Sequence, residues 1–170
     1  MSKQRKTGIL IRANGNNDWI GGLYYCKNIA FQLSVNKNIT DGFNIYLLTS
    51  PDNYYIFEDL RNVGGVKILN SKEGNHYIKK LRLLYYIHRY RIKFIFPQNW
   101  IESYTSVQTI SWIADFQHNY LTTFFQDEEI GRRTADFHRI AELEQPLILS
   151  SFDCLKDFRT FYVKGKKMFV

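Results

Sequence analysis

The sequence predicts an α/β fold built on a mostly parallel sheet with helices on both faces, and three observations lead there. Short apolar runs of strand composition alternate with segments whose apolar residues recur at helical spacing. The first run passes through a loop rich in glycine and asparagine into the first of those helical segments. A later run, Val107 to Ile113, ends in a polar cluster holding Asp115, Gln117 and His118. Parallel neighbours need crossover connections, normally helices, so the alternation stacks helices against a parallel sheet.

Taken in order, Gly8 to Ala13 (GILIRA) reads as the first strand and Asn14 to Gly22 (NGNNDWIGG) as the loop. Leu23 to Val35 puts Leu23, Cys26, Ile29, Ala30 and Leu33 at the spacing of an amphipathic helix. Phe43 to Thr49 is the second strand, and Pro51 and Asp52 signal a helix start before Tyr54 to Asn62. After Gly64 and Gly65 come a third strand, Val66 to Leu69, and the longest helix, Asn75 to Arg91. That helix carries apolar residues at Ile78, Leu81, Leu84, Tyr85 and Ile87. Lys93 to Phe96 is a fourth strand ended by Pro97, and Val107 to Ile113 a fifth. Asp127 to Leu143 opens with acidic residues that suit a helix N-terminus, is weakened by Gly131 and is stopped by Pro146. Leu147 to Ser150 is a sixth strand, Ser151 and Asp153 offer N-caps, and Phe152 to Phe161 forms a further helix. Lys167 to Val170 reads as the first residues of another strand.

A length of 170 residues, 45% of them hydrophobic, suits one domain with a core that needs neither disulfides nor metal. The net charge of +7 favours an anionic partner: a nucleic acid, an acidic membrane surface or a phosphorylated small molecule. No nucleic-acid recognition module has its pattern here, and the basic residues are spread along the chain, so nucleic acid is not expected. Cys26 and Cys154 sit in apolar periodic segments without a close-spaced partner, which favours buried free thiols and a reducing compartment. The apolar run after the basic N-terminus is too short for a signal peptide, and no stretch reaches the ~18 apolar residues of a spanning helix. A cytoplasmic protein, with or without peripheral membrane contact, is expected.

The candidate chemistry lies in the glycine loop and in the Asp115 to His118 cluster. Both follow predicted strands at the carboxyl end, where ligands of parallel sheets bind, so one crevice is expected to receive both. Glycines let backbone N–H groups approach a phosphate at a helix N-terminus. Gly15 and Gly21 match neither the P-loop nor the GxGxxG fingerprint, so a bare turn is the plainer reading. His118 reads equally as a loop-capping histidine, and Asp115 as a turn residue. No His/Cys cluster has ligand spacing, so no metal is expected. The helix from Asn75 to Arg91 carries Lys79, Lys80, Arg82, Arg89 and Arg91 among tyrosines. It suits either an anionic lipid surface or a sheet-packed helix with a solvated cationic face.

Two stretches carry a resemblance. The segment from Trp112 to Tyr162 (WIADFQHNYLTTFFQDEEIGRRTADFHRIAELEQPLILSSFDCLKDFRTFY) is similar to the part of family 4 (group 1) retaining glycosyltransferases that runs W-I-P-D-F-Q-H, an acidic-arginine helix, V-I-L-S-S and D-F-x-x-F-Y. NDWIGGLYYCKNIAFQLS resembles the same family's G-G loop and first helix. The resemblance implies the GT-B fold, of which this chain, 1–170, is the single Rossmann-like, acceptor-side N-terminal lobe. The C-terminal lobe, which binds the nucleotide-sugar donor through an E-x7-E segment, is absent from the chain or belongs to a separate one. The implied reaction moves a sugar from a nucleotide-sugar donor to a hydroxyl acceptor, with the donor as substrate and no cofactor. By the same resemblance Gly21 and Gly22 approach the donor diphosphate, and His118 lies near the transferred sugar. Asp115 orients its loop or meets acceptor hydroxyls, and Asn17, Trp19 and Gln117 lie on the acceptor side. Ala114 stands where the family has proline, which removes a backbone restraint from the loop. The alternative is a non-catalytic acceptor- or membrane-binding subunit that recruits a donor-binding chain.

Overall fold

Five strands, β1 (Thr7–Ala13), β2 (Phe43–Thr49), β3 (Val66–Asn70), β4 (Ile92–Phe96) and β5 (Gln108–Thr109), form one sheet in the order β3-β2-β1-β4-β5. Every pairing in it is parallel. The structure is a computed structural model describing residues 6–13, 19–62, 65–71, 74–98, 106–143 and 145–163. Asn17 and the segment Lys167 to Val170 lie outside the described residues.

Alternation along the strands builds two cores. Ile9, Ile11 and Ala13 of β1 and Ile45 and Leu47 of β2 point to one face. There they meet Leu23, Cys26 and Ala30 of helix α1 (Ile20–Val35) and Ile56, Phe57 and Leu60 of a 3-10 helix, Pro51–Arg61. Leu10 of β1, Tyr46 and Leu48 of β2 and Ile95 of β4 point to the other face. Leu83, Tyr86 and Ile87 of helix α3 (His76–Arg89) cover them. A short helix α2 (Lys37–Thr40), N-capped by Asn36, leads into β2. The sheet is thus a Rossmann-like α/β layer structure with helices on both faces, as the alternation of strand and helix patterns predicts.

Gly8 shows why a glycine stands near the start of β1. A Cβ there would lie 2.7 Å from the Tyr90 carbonyl oxygen and 2.9 Å from Ile92. The close approach lets the Gly8 N–H donate to the Arg91 carbonyl at 3.0 Å, joining β1 to the start of β4.

Three elements differ from the sequence reading. Helix α1 begins at Ile20, so Gly21 and Gly22 belong to its first turn and not to the loop. The helix after Pro51 begins at the proline itself and is 3-10 throughout. The expected strand Val107 to Ile113 is divided: β5 belongs to the five-stranded sheet, while β6 (Ser111–Ile113) pairs with β7 (Leu147–Leu149) in a two-stranded parallel sheet. Hydrogen bonding accounts for the division, because Ile110 accepts from the Gln98 N–H at 2.9 Å and the Ser111 N–H donates to Pro146.

The described residues cluster into two compact units, one holding the five-stranded sheet and the other Gln98 and the residues from Ile110 onward. In the second unit, helices α4 (Gln117–Tyr120), α5 (Asp127–Glu142) and α6 (Phe152–Phe161) accompany the β6–β7 pair. Ser151 caps α6, as expected, by accepting the Cys154 N–H at 3.1 Å. Ile113, Phe116, Ile140, Cys154 and Phe158 form its core. A buried polar cluster sits at its edge, where the Ser111 hydroxyl donates to the Gln98 carbonyl at 3.2 Å and the Gln145 amide bonds both.

Both cysteines are free and buried, and burial pushes the Cys26 thiol up to about 12. They act as small apolar groups with weak S–H donors. No helix among the described residues is long and apolar enough to cross a membrane.

Leu10 has no solvent exposure on the strand that both helical layers press on. Leu10→Ala should therefore destabilise the chain by about 2–5 kcal/mol, read as a lower urea midpoint at unchanged slope.

Candidate functional site

The strand order reverses between β1 and β4. From β1 the chain steps outward to β2 and β3, and α3 then carries it back to β4 on the opposite side of β1. Such a switch point opens a crevice at the carboxyl ends of the two strands, which is where ligands of open α/β sheets bind. Trp19 occupies the N-cap position of α1 beyond the carboxyl end of β1, with Gly21 and Gly22 in the first turn.

The two glycines have different surroundings. A Cβ on Gly21 would meet open space, whereas one on Gly22 would fall 2.0 Å from the Trp19 indole. Gly22 is therefore the seat on which Trp19 lies, and Gly21 keeps its backbone open on that side. Of the pair, Gly21 is the one with room for a ligand.

In the other unit, the end of β6 delivers Asp115, Gln117 and His118 on one short loop and helix. Asp115 Oδ1 accepts the Gln117 N–H at 3.1 Å, an Asx turn that starts α4 in place of an ordinary cap. Gln117 points to solvent and Asp115 is half-buried. His118 has no exposed surface. Its ring lies between Phe116, with centroids 6.5 Å apart, and Phe137 at 5.3 Å, and its Nε2 is 3.3 Å from the Tyr162 hydroxyl. Nδ1 is buried with no hydrogen-bond partner among the described residues.

Burial lowers the pKa of His118, and the Arg133 guanidinium adds to the effect against the weaker pull of Asp115 and Glu129. Arg133 is paired with Glu129 at 2.8 Å. The imidazole is consequently neutral near neutral pH. It can take or give a hydrogen bond, but only to a group that enters the aromatic enclosure. A ligand approaching this loop meets Gln117 and Tyr120, both exposed, before it meets His118.

Sequence reasoning missed the partners of this loop. Tyr162 holds His118 through its hydroxyl, which the Asn119 amide also reaches at 3.5 Å. Asp157 receives the Tyr120 hydroxyl at 2.6 Å, Phe158 packs on Phe116, and Phe161 lies edge-on to Tyr120. The run Asp157-Phe158-Arg159-Thr160-Phe161-Tyr162 was readable as a helix end. Its spacing of one, four and five residues, which sets side chains on one face of a helix, was the signal that it docks on something.

The structure brings Asp115, Gln117 and His118 together in one unit, and Trp19, Gly21 and Gly22 together in the other. Among the described residues no group of three or more His, Cys, Asp or Glu side chains could hold a metal ion. Compared with known proteins, the chain matches no family model, and no curated protein and no solved structure is significantly similar to it.

Tyr162→Phe leaves a buried imidazole nitrogen without its hydroxyl and should cost about 1–3 kcal/mol in urea unfolding. A pH dependence follows from the lowered His118 pKa. Because the folded value lies below the ordinary 6.5, the unfolded chain binds the proton first as the pH falls. The contribution of His118 to stability is thus complete above about pH 6.5 and is lost as the pH falls through the folded value. Urea midpoints measured from about pH 7.5 down to pH 5 should fall more steeply for the natural chain than for His118→Gln.

Proposed function

We propose that this chain is the acceptor-side lobe of a retaining glycosyltransferase of the GT-B type, moving a sugar from a nucleotide-sugar donor to a hydroxyl acceptor. The observation that carries the reading is the docking of the two halves of its motif. The segment resembling W-I-P-D-F-Q-H and the one resembling D-F-x-x-F-Y meet through His118–Tyr162, and Tyr120, two residues beyond the first segment, bonds Asp157 of the second. A motif spread over some fifty residues of sequence is one contact set in space. The Rossmann-like sheet and its β1–β4 switch point support the same reading.

In this mechanism positioning and electrostatics do most of the work, because the leaving group is a diphosphate whose charge must be met as it develops. Gly21, open-sided in the first turn of α1, lets the diphosphate approach a helix N-terminus. Gln117 meets acceptor hydroxyls, with Asp115 fixing the loop that carries it. His118 reaches the sugar only when α4 moves off Tyr162. The contacts to the nucleotide belong to a second lobe. We assign the protein to the cytoplasm, where two free buried thiols persist.

One observation favours the second reading, a non-catalytic acceptor-binding subunit: His118 is completely enclosed. Turnover separates the two. The pure chain, offered nucleotide sugars and simple hydroxyl acceptors, should release no nucleoside diphosphate, and release by the chain alone would overturn the need for a second lobe. With a donor-binding lobe supplied, turnover that falls at least about tenfold in His118→Gln supports the catalytic reading. Acceptor binding by NMR without turnover supports the subunit reading.

A further inference from the structure

Helix α3 is apolar on more sides than the sheet can cover. At about 100° per residue, Leu83, Tyr86, Ile87 and Tyr90 share the face that meets β1, β2 and β4. Tyr77, Ile78, Leu81, Leu84 and Tyr85 occupy the opposite face and are exposed, Tyr77 at 75% and Leu81 at 66%. The sequence pattern offers the outer stripe as readily as the inner one for burial, and the exposed side of the helix carries both these apolar side chains and cations. A contiguous exposed patch of large apolar side chains is a mark of an interaction surface.

The edges of the stripe are cationic. By the same spacing Lys80 borders it on one side and Arg82 and Arg89 on the other, and the helix has no acidic residue. Beyond its C-terminus lies a cavity of about 650 Å³ lined by Lys6, Asn44, Tyr46, His88, Arg89, Tyr90 and Arg91, without a carboxylate. Arg91 adopts φ 52°, a left-handed conformation that favours glycine. The position follows the C-cap of α3, and its N–H donates to the His88 carbonyl at 3.3 Å, so the left-handed turn ends the helix.

We propose that α3 seats this protein on an anionic lipid bilayer, its outer aromatic and aliphatic stripe at the headgroup boundary and the cations along the edges of the stripe meeting lipid phosphates. Charge complementarity selects this occupant. A second copy would set Lys80, Arg82 and Arg89 against their own kind, whereas acidic headgroups neutralise them. Tyrosine suits the boundary because its ring is apolar and its hydroxyl stays wet. Lipid contact does not depend on the sugar-transfer reading, and the test below involves no turnover.

The test is sedimentation of the full chain with vesicles of phosphatidylcholine alone and of phosphatidylcholine mixed with phosphatidylglycerol, at low and at raised salt. Strong pelleting with the mixed vesicles, little with the neutral ones and a loss at raised salt are expected. Each cation near the surface strengthens binding about fivefold. Lys80→Glu with Arg82→Glu should therefore abolish pelleting, and Leu81→Ser with Tyr85→Ser should weaken it at least about tenfold. Inorganic phosphate at matched ionic strength should not displace the protein. Equal binding to both vesicle types, no effect of either double substitution, or displacement by phosphate would overturn the proposal. So would concentration-dependent dimerisation that Leu81→Ser/Tyr85→Ser removes, because the stripe would then belong to a second copy.

Discussion

Strand β1 is covered on both faces, and that double burial is the constraint from which the architecture of its unit follows. Ile9, Ile11 and Ala13 need one apolar layer and Leu10 another. Only helices packed from both sides supply them, and the parallel pairing of β1 with β2 and β4 follows from the crossovers those helices make. Gly8 belongs to the same constraint. Without its missing side chain β4 could not come close enough to take the Gly8 N–H.

In the second unit the organising contact is Phe116 with its aromatic neighbours. Phe137, Phe158 and Tyr162 pack around it, and the enclosure they make holds His118 neutral and out of water. The loop after β6 is consequently held from two directions, by the Asx turn of Asp115 and by α6 through Tyr162 and Asp157. This places the exposed Gln117 on a fixed support, which is what a binding loop needs. The same packing sets a condition on any chemistry by His118: the enclosure must open first.

Helix α3 serves the sheet with one face and leaves the other uncovered. The interior cores demand Leu83, Tyr86 and Ile87, but nothing in the packing of the sheet demands Leu81 or Tyr85. Large apolar side chains flanked by cations at the surface are informative where isolated ones are not. Lipid contact through this face and sugar transfer are compatible, since a lobe held at a bilayer would meet acceptors carried there. Neither requires the other.

The sequence by itself determined the alternation of strands and helices, the parallel sheet with two helical layers, the capping of α6 by Ser151 and the burial of both cysteines. Each of these depends on local periodicity, turn chemistry or side-chain volume, which neighbouring residues carry. Tertiary structure decided the rest. The run Val107 to Ile113 looks like one strand, yet backbone partners remote in sequence, Gln98 and Pro146, split it between two sheets. Which of the two apolar stripes of α3 turns inward depends on where β1 and β2 present their side chains, not on the helix. His118 looked like a loop residue, and the aromatic enclosure that buries it is assembled from α5, α6 and Tyr162, up to 44 residues away. The pattern of a chain shows which residues need burial or a partner; only the packed fold shows which of them have found one.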